Sequence, residues 1–198
     1  VGVEIHRDAS GRVTNPEILY RPYSFQTPDG QVRMVFRDHY LSDLIGFHYH
    51  RRANQAECAR DLIARLRAID GDGADTPPLV SIILDGENAW EHYAGQGVEF
   101  LTTLFVVLRD DPVLETVTIS DYIARYGAAK ELPRLYSGSW IYGNFATWIG
   151  GPEKNAGWER LAETRRNLAS LGPPGGALAA AWEELYAAEG SDWFWWYG

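Results

Sequence analysis

Sulfur is scarce in this chain: 198 residues hold one cysteine, Cys58, and one methionine. A single thiol excludes an internal disulfide and any multi-cysteine metal site. Its place in a helical stretch makes it a small core residue of a protein from a reducing, cytoplasmic compartment. Long apolar runs are missing too, since none approaches the ~20 residues of a membrane helix. Positive charge is in short supply: 18 Lys and Arg against 27 Asp and Glu leave a formal charge of -9. That is the wrong sign for holding nucleic-acid phosphates or anionic lipid, so neither nucleic acid nor membrane is expected as a partner. No pattern calls for a cofactor. An initiator Met, a basic leader and an apolar signal core are also lacking, and the chain stops in the aromatic run from Gly190 to Gly198. Both ends therefore read as cuts, and an internal segment of a longer polypeptide is expected.

What the chain has in plenty is aromatic: 8 Trp and 11 Tyr. Indole is hard to bury completely and its N–H wants a partner, so core packing alone rarely asks for so much. Flat rings that stack on sugar faces are the usual alternative. With 45% hydrophobic and 23% charged residues the chain is globular, long enough for one domain or one with an appendage.

Residues 1–34 carry turn signals at Asp8-Ala-Ser-Gly11 and Thr27-Pro-Asp-Gly30 and read as loops with short strands. From Ala53 to Ile69, Ala56, Ala59, Ile63, Leu66 and Ile69 recur at the helical period. Leu79 to Leu84 is an apolar run of the kind found in strands covered on both faces. A helix over Val98 to Leu108, a strand over Leu114 to Ile119 and a short helix capped by Ser120 follow, an order that suggests a parallel α/β unit. Helices over Asn155 to Leu171 and Ala177 to Ala188 dominate the end of the chain, with Gly172-Pro-Pro-Gly-Gly176 as a hinge.

Three clusters carry chemistry. The run from Leu79 ends at Asp85, which places a carboxylate at the C-terminal edge of a strand, where α/β enzymes put catalytic groups. Glu87, Trp90, Glu91 and His92 follow, and like charges with apolar walls raise a carboxyl pKa toward the range of a general acid. On spacing alone, Asp85 as a helix-capping residue stays open beside Asp85 as an acid. In the second cluster, Arg37, Asp38, His39 and Asp43 make either a hydrogen-bonding network for sugar hydroxyls or a buried ion-pair group, with Ser42 or Asp43 as a cap. His48 and His50 alternate beside Arg51 and Arg52 without a further ligand at a recognisable spacing, and read as a surface pair, not a metal site. In the third, Trp140 and Trp148 sit in a Gly-, Ser- and Asn-containing stretch suited to a carbohydrate platform, core packing being the other reading; Trp158, inside a helix, reads as core.

Taken together, the clusters resemble glycoside hydrolase family 57, the α-glucan-active family of amylopullulanases, α-amylases, branching enzymes and 4-α-glucanotransferases. Leu84-Asp-Gly-Glu-Asn-Ala-Trp-Glu91 is similar to the family's fourth conserved region, whose Asp is the general acid/base. Ser139-Trp140 through Trp148 to Trp158 is similar to its fifth, which contributes aromatic substrate contacts. The stretch from Phe36 to Phe47 and the terminal Trp-rich run resemble the amylopullulanase branch. The resemblance implies a retaining glycosidase acting on α-glucan, with Asp85 as general acid/base and the nucleophilic Glu in a missing N-terminal part of the same polypeptide. It implies an α/β fold: a partial (β/α)7-type barrel over residues 1–130, followed by a helical region over 131–198. The expected substrate contacts are Arg37, Asp38, His39, Asp43, Glu87, Trp90, Trp140, Trp148, Asp192 and Trp193, with Trp140 or Trp148 and Trp193 lining the groove in which the glucan meets Asp85. No metal is expected. The alternatives are a non-catalytic glucan-binding module and a metal-dependent barrel of the polysaccharide-deacetylase kind, which would bring His48, His50 and Asp85 together.

Overall fold

The computed structural model describes residues 4–69, 76–86, 88–127 and 130–197. Contacts divide the chain into two units, Val1–Leu135 and Tyr136–Gly198.

The first unit begins with a turn that Asp8 organises: its Oδ1 accepts from the Ser10 amide and hydroxyl at 2.8 and 2.7 Å and from the Arg12 amide at 3.1 Å. A short helix, α1 (Pro16–Leu19), leads to the hairpin of β1 (Tyr23–Thr27) and β2 (Gly30–Met34). Pro28-Asp29 closes it, the two-residue loop that pairs Thr27 with Gly30. Much later in the chain β3 (Lys130–Glu131) joins β1 in parallel, giving the order β2-β1-β3.

Helix α2 (His39–Asp43) runs into a π-turn, Leu44–His48, and a 3₁₀ turn, Tyr49–Arg51. Helix α3 (Gln55–Arg67) starts where Asn54 accepts from the Glu57 amide; of the residues its period names, Ala59 and Ile63 are buried, while Ala56, Leu66 and Ile69 are half-buried. Cys58 and Leu62, which that spacing did not name, are wholly enclosed together with Ala59, packed with Leu41, Leu44, Ile45, Tyr49, Tyr93 and Phe100. Burial pushes the Cys58 thiol pKa up, which suits an inert core residue.

The run from Leu79 is extended, and Val80, Ile82 and Leu84 turn inward onto this core while Ile83 faces out, 48% exposed. That is a period of two with one covered face, where continuous apolar character suggested two. Its neighbour is the Arg37 segment, bridged in parallel at Ser81, with the Asp38 amide donating to the Ser81 carbonyl at 2.8 Å.

After α4 (Asn88–Glu91) and a kinked turn, Ala94–Gly97, comes α5 (Val98–Arg109). Residues 114–118 form no ladder; Asp111 Oδ1 accepts from the Val113 and Leu114 amides, and α6 (Ile119–Tyr126) begins soon after. Its cap is Thr118, not Ser120. The Thr118 hydroxyl accepts from the Asp121 amide and donates to the Asp121 carboxylate, a reciprocal lock that claims the residue a strand would have needed.

The second unit holds α7 (Pro152–Leu171), α8 (Ala179–Ala188) and α9 (Trp193–Trp196). Pro152 stands at the first helical position, where its missing N–H costs nothing, so α7 starts earlier than its apolar pattern does. Trp182, Leu185 and Phe194 are its buried side chains along with Ile141.

Candidate active site

Asp85 lies two residues beyond Ile83, at the C-terminal end of the extended segment, and is exposed. Two contacts fix that end. The Ile83 amide donates to Ser42 Oγ at 3.2 Å, and Ser42 Oγ donates in turn to the Asp38 carbonyl at 2.7 Å. The start of α2 is thereby tied to the strand-like run that delivers Asp85.

The second cluster divides. Asp38 caps α2 by accepting from the Leu41 amide at 3.0 Å, and its carboxylate is wholly enclosed by Arg7 Nη2 at 2.8 Å and the Tyr20 hydroxyl at 2.6 Å. Burial and the adjoining Asp38 charge push the Tyr20 phenol pKa far up, so Tyr20 is held as a donor. The hollow beside this group, about 80 Å³, falls well short of the ~300 Å³ of a small ligand site. Asp38, expected among the sugar contacts, is a framework residue, and the cap expected at Ser42 or Asp43 belongs to it. Asp43 does the outward work: its oxygens take Arg37 Nη2 at 2.8 Å and His39 Nε2 at 3.2 Å, and the His39 side chain is 76% exposed. Sequence reasoning missed Arg7 and Tyr20, because nothing local marks partners that meet Asp38 only through tertiary folding.

The loop after Asp85 is pinned from its far side. Tyr93 is buried, donates its hydroxyl to the Ile45 carbonyl at 2.6 Å and packs against Phe100 and the half-buried Trp90. Trp90 in turn needs Gly97, whose φ is +76° and where a Cβ would come within 2.6 Å of the indole. So Trp90, expected as a substrate contact, has one face committed to the fold. His92 lies against His50, ring centres 5.6 Å apart. Burial, then Arg51, His92 and His48, hold the His50 pKa below the usual histidine value. Glu87 lies outside the described residues. Among the described residues no three His, Cys, Asp or Glu side chains converge as metal ligands, so His48, His50 and Asp85 form no such group.

In the second unit Trp140 is 66% exposed and Trp148 half-buried. Trp158 is also only half-buried; it stacks on Phe194 at 4.2 Å and donates its indole N–H to the Trp148 carbonyl at 2.8 Å. It therefore ties the aromatic loop to α7 instead of filling a core. Trp193 stacks on Phe194 at 3.6 Å and donates to the Ala188 carbonyl at 3.0 Å, while Asp192 is exposed.

Asp85 thus follows an extended segment bridged once to Arg37, and Arg37, His39 and Asp43 form their own ion-paired group. The model of glycosyl hydrolase family 57 matches residues 5–134, and the chain belongs to that family. It is a glycoside hydrolase. A search of curated proteins finds no match. The matched residues include Arg37, Asp43, Asp85 and Trp90 and stop short of Trp140, Trp148, Asp192 and Trp193. No described helix is long and apolar enough to cross a membrane.

Proposed function

We propose that this chain carries the general acid/base of a retaining α-glucan hydrolase or transferase of the amylopullulanase or α-amylase kind, working in the cytoplasm. The observation that supports this reading is the place of Asp85: it follows an extended segment that is bridged in parallel to Arg37 at Ser81 and tied to α2 through Ile83 and Ser42. In this reading a Glu supplied elsewhere in the polypeptide attacks the anomeric carbon. The glycosidic C–O bond breaks and Asp85 gives its proton to the leaving oxygen. Asp85 then takes a proton from water or a sugar hydroxyl, whose oxygen displaces the Glu. Arg37, His39 and Asp43 offer donors and acceptors to sugar hydroxyls, and Glu87, two residues on from Asp85 in the sequence, is a further sugar contact. Trp140, Trp148, Asp192 and Trp193 supply further glucan contacts. The single parallel bridge at Ser81 supports the partial (β/α)7 barrel, with residues 79–84 in the place of a strand.

The test is Asp85→Asn in the full-length enzyme. Turnover on amylose or pullulan should fall at least a hundredfold with folding intact, as the loss of a general acid demands. Near-normal kcat would remove Asp85 from the mechanism and favour a glucan-binding role for the cluster.

A further inference from the structure

The extended segment that leads to Asp85 loses its neighbouring strand before it ends. Arg37 is bridged to Ser81, and the Asp38 amide donates to the Ser81 carbonyl at 2.8 Å, as in a parallel ladder. The next bond of such a ladder would run from the Ile83 amide to the Asp38 carbonyl. Here the chain turns into α2 at Asp38 instead, and that carbonyl becomes the first acceptor of the helix, taking the Ser42 amide at 3.0 Å.

The Ser42 hydroxyl fills the gap. Its oxygen accepts from the Ile83 amide at 3.2 Å and its proton goes to the Asp38 carbonyl at 2.7 Å, so the ladder bond is made through one interposed hydroxyl. A hydroxyl has a single proton. With that proton committed to the carbonyl four residues back, the oxygen can only accept from Ile83, and the direction of the relay is fixed. The Ser42 side chain is wholly enclosed, so protein groups alone make the relay. The next residue, Asp43, holds Arg37 and His39. One turn of α2 therefore carries both that ion-paired group and the link to the segment ending at Asp85.

We propose that Ser42 is a positioning residue of the glycosidase: its hydroxyl carries the ladder across the start of α2 and so fixes where Asp85 stands relative to Arg37, His39 and Asp43. The inference rests on the reading of Asp85 as general acid/base. A proton donor has to come within hydrogen-bond reach of the glycosidic oxygen, and a misplacement of ~1 Å costs about a hundredfold in rate. Leaving groups feel that loss unequally. A sugar oxygen departs only with a proton, whereas nitrophenolate departs with little help.

The experiment compares two substrates in the full-length enzyme, with urea unfolding measured alongside. Ser42→Ala should lower kcat on maltoheptaose about thirtyfold with KM within about twofold. Nitrophenol release from 4-nitrophenyl α-maltoside should fall less than about fivefold. Ser42→Thr, whose hydroxyl can make the same bond four residues back, should bring the maltoheptaose rate within about threefold of the unaltered enzyme. If Ser42→Ala does not fold, Ser42→Cys, with a weaker donor and acceptor in nearly the same space, should show the same pattern at smaller size. A folded variant with normal kcat, or with equal losses on both substrates, overturns this inference alone when Asp85→Asn is inactive. An active Asp85→Asn overturns it together with the acid/base reading.

Discussion

The two units weight their aromatic residues differently, although the first also exposes Phe47 and Phe105 and the second also buries Trp182 and Phe194. In the first, Tyr49 and Phe100 are enclosed, and the polar tips are matched: the Tyr49 hydroxyl donates to Asp61 at 2.6 Å and the Tyr93 hydroxyl to Ile45. In the second, Tyr136, Trp140, Tyr142, Trp195 and Trp196 stand out in solvent, and the twenty residues of Pro152–Leu171 bury no side chain. A core needs rings in contact on all sides with each donor satisfied. A surface that meets a ligand needs faces left open on a supported backbone. The first unit therefore holds the segment that ends at Asp85 on a packed core. The second offers open faces.

The comparison is sharpest where the same substitution is made in both. Phe100→Ala, which leaves a hole among Tyr49, Tyr93 and Trp90, should cost about 4 kcal/mol in urea unfolding. Phe194→Ala removes a ring stacked between Trp158 and Trp193 and should cost nearer ~3 kcal/mol, since those neighbours can collapse inward. Equal losses would mean that the second unit is packed as tightly as the first. Asp38→Ala leaves Arg7 and the Tyr20 hydroxyl without their carboxylate and should cost about 3 kcal/mol. If stability holds and KM rises instead, Asp38 belongs with the sugar contacts after all.

Smaller effects test the edges. Asp61 accepts from Tyr49 and from Arg65 at 2.9 Å. Burial works to raise its pKa, but those two hydrogen bonds outweigh it and hold the carboxyl below the usual range. Asp61→Ala should cost roughly 1 kcal/mol, discounted because the carboxylate is partly in water. In the unaltered chain the contribution should be complete above the ordinary carboxylate pKa and be lost as pH falls through the lowered one. In the second unit Trp140→Ala should leave the melting temperature almost unchanged, whereas Trp158→Ala should lower it; a joint collapse would make the aromatic loop scaffold.

The smallest expected change concerns His50. Its folded pKa is depressed, so the unfolded chain takes up the proton first. Stability should be full above the ordinary histidine value and decline as pH falls below it, toward the lowered one. Melting scans between neutral and mildly acid pH should show a shallower decline for His50→Gln, and an unchanged slope would assign the decline to other groups.

Helix α3 was legible because its apolar residues recur at the helical spacing, although the Asn54 cap and the buried Leu62 emerged only in the structure. Asp85 was legible as the end of an apolar run. The pairing of Asp38 with Arg7 and Tyr20 was not, since residues so far apart in the chain acquire a relation only when the hairpin and α2 are in place. Nor was the Ser42 relay, because a serine early in a helix reads as a cap; the turn of the chain into α2 beside Ile83 imposes it.

Local order by itself set the helices, the charge, the aromatic excess and the family, because periodicity, caps and contiguous motifs are properties of neighbours in the chain. Tertiary structure alone decided which carboxylate serves the framework and which faces solvent. Burial and partner geometry, not residue type, determine that choice: Asp38 is shut in by a guanidinium and a phenol, while Asp43 is half-buried and Asp85 exposed.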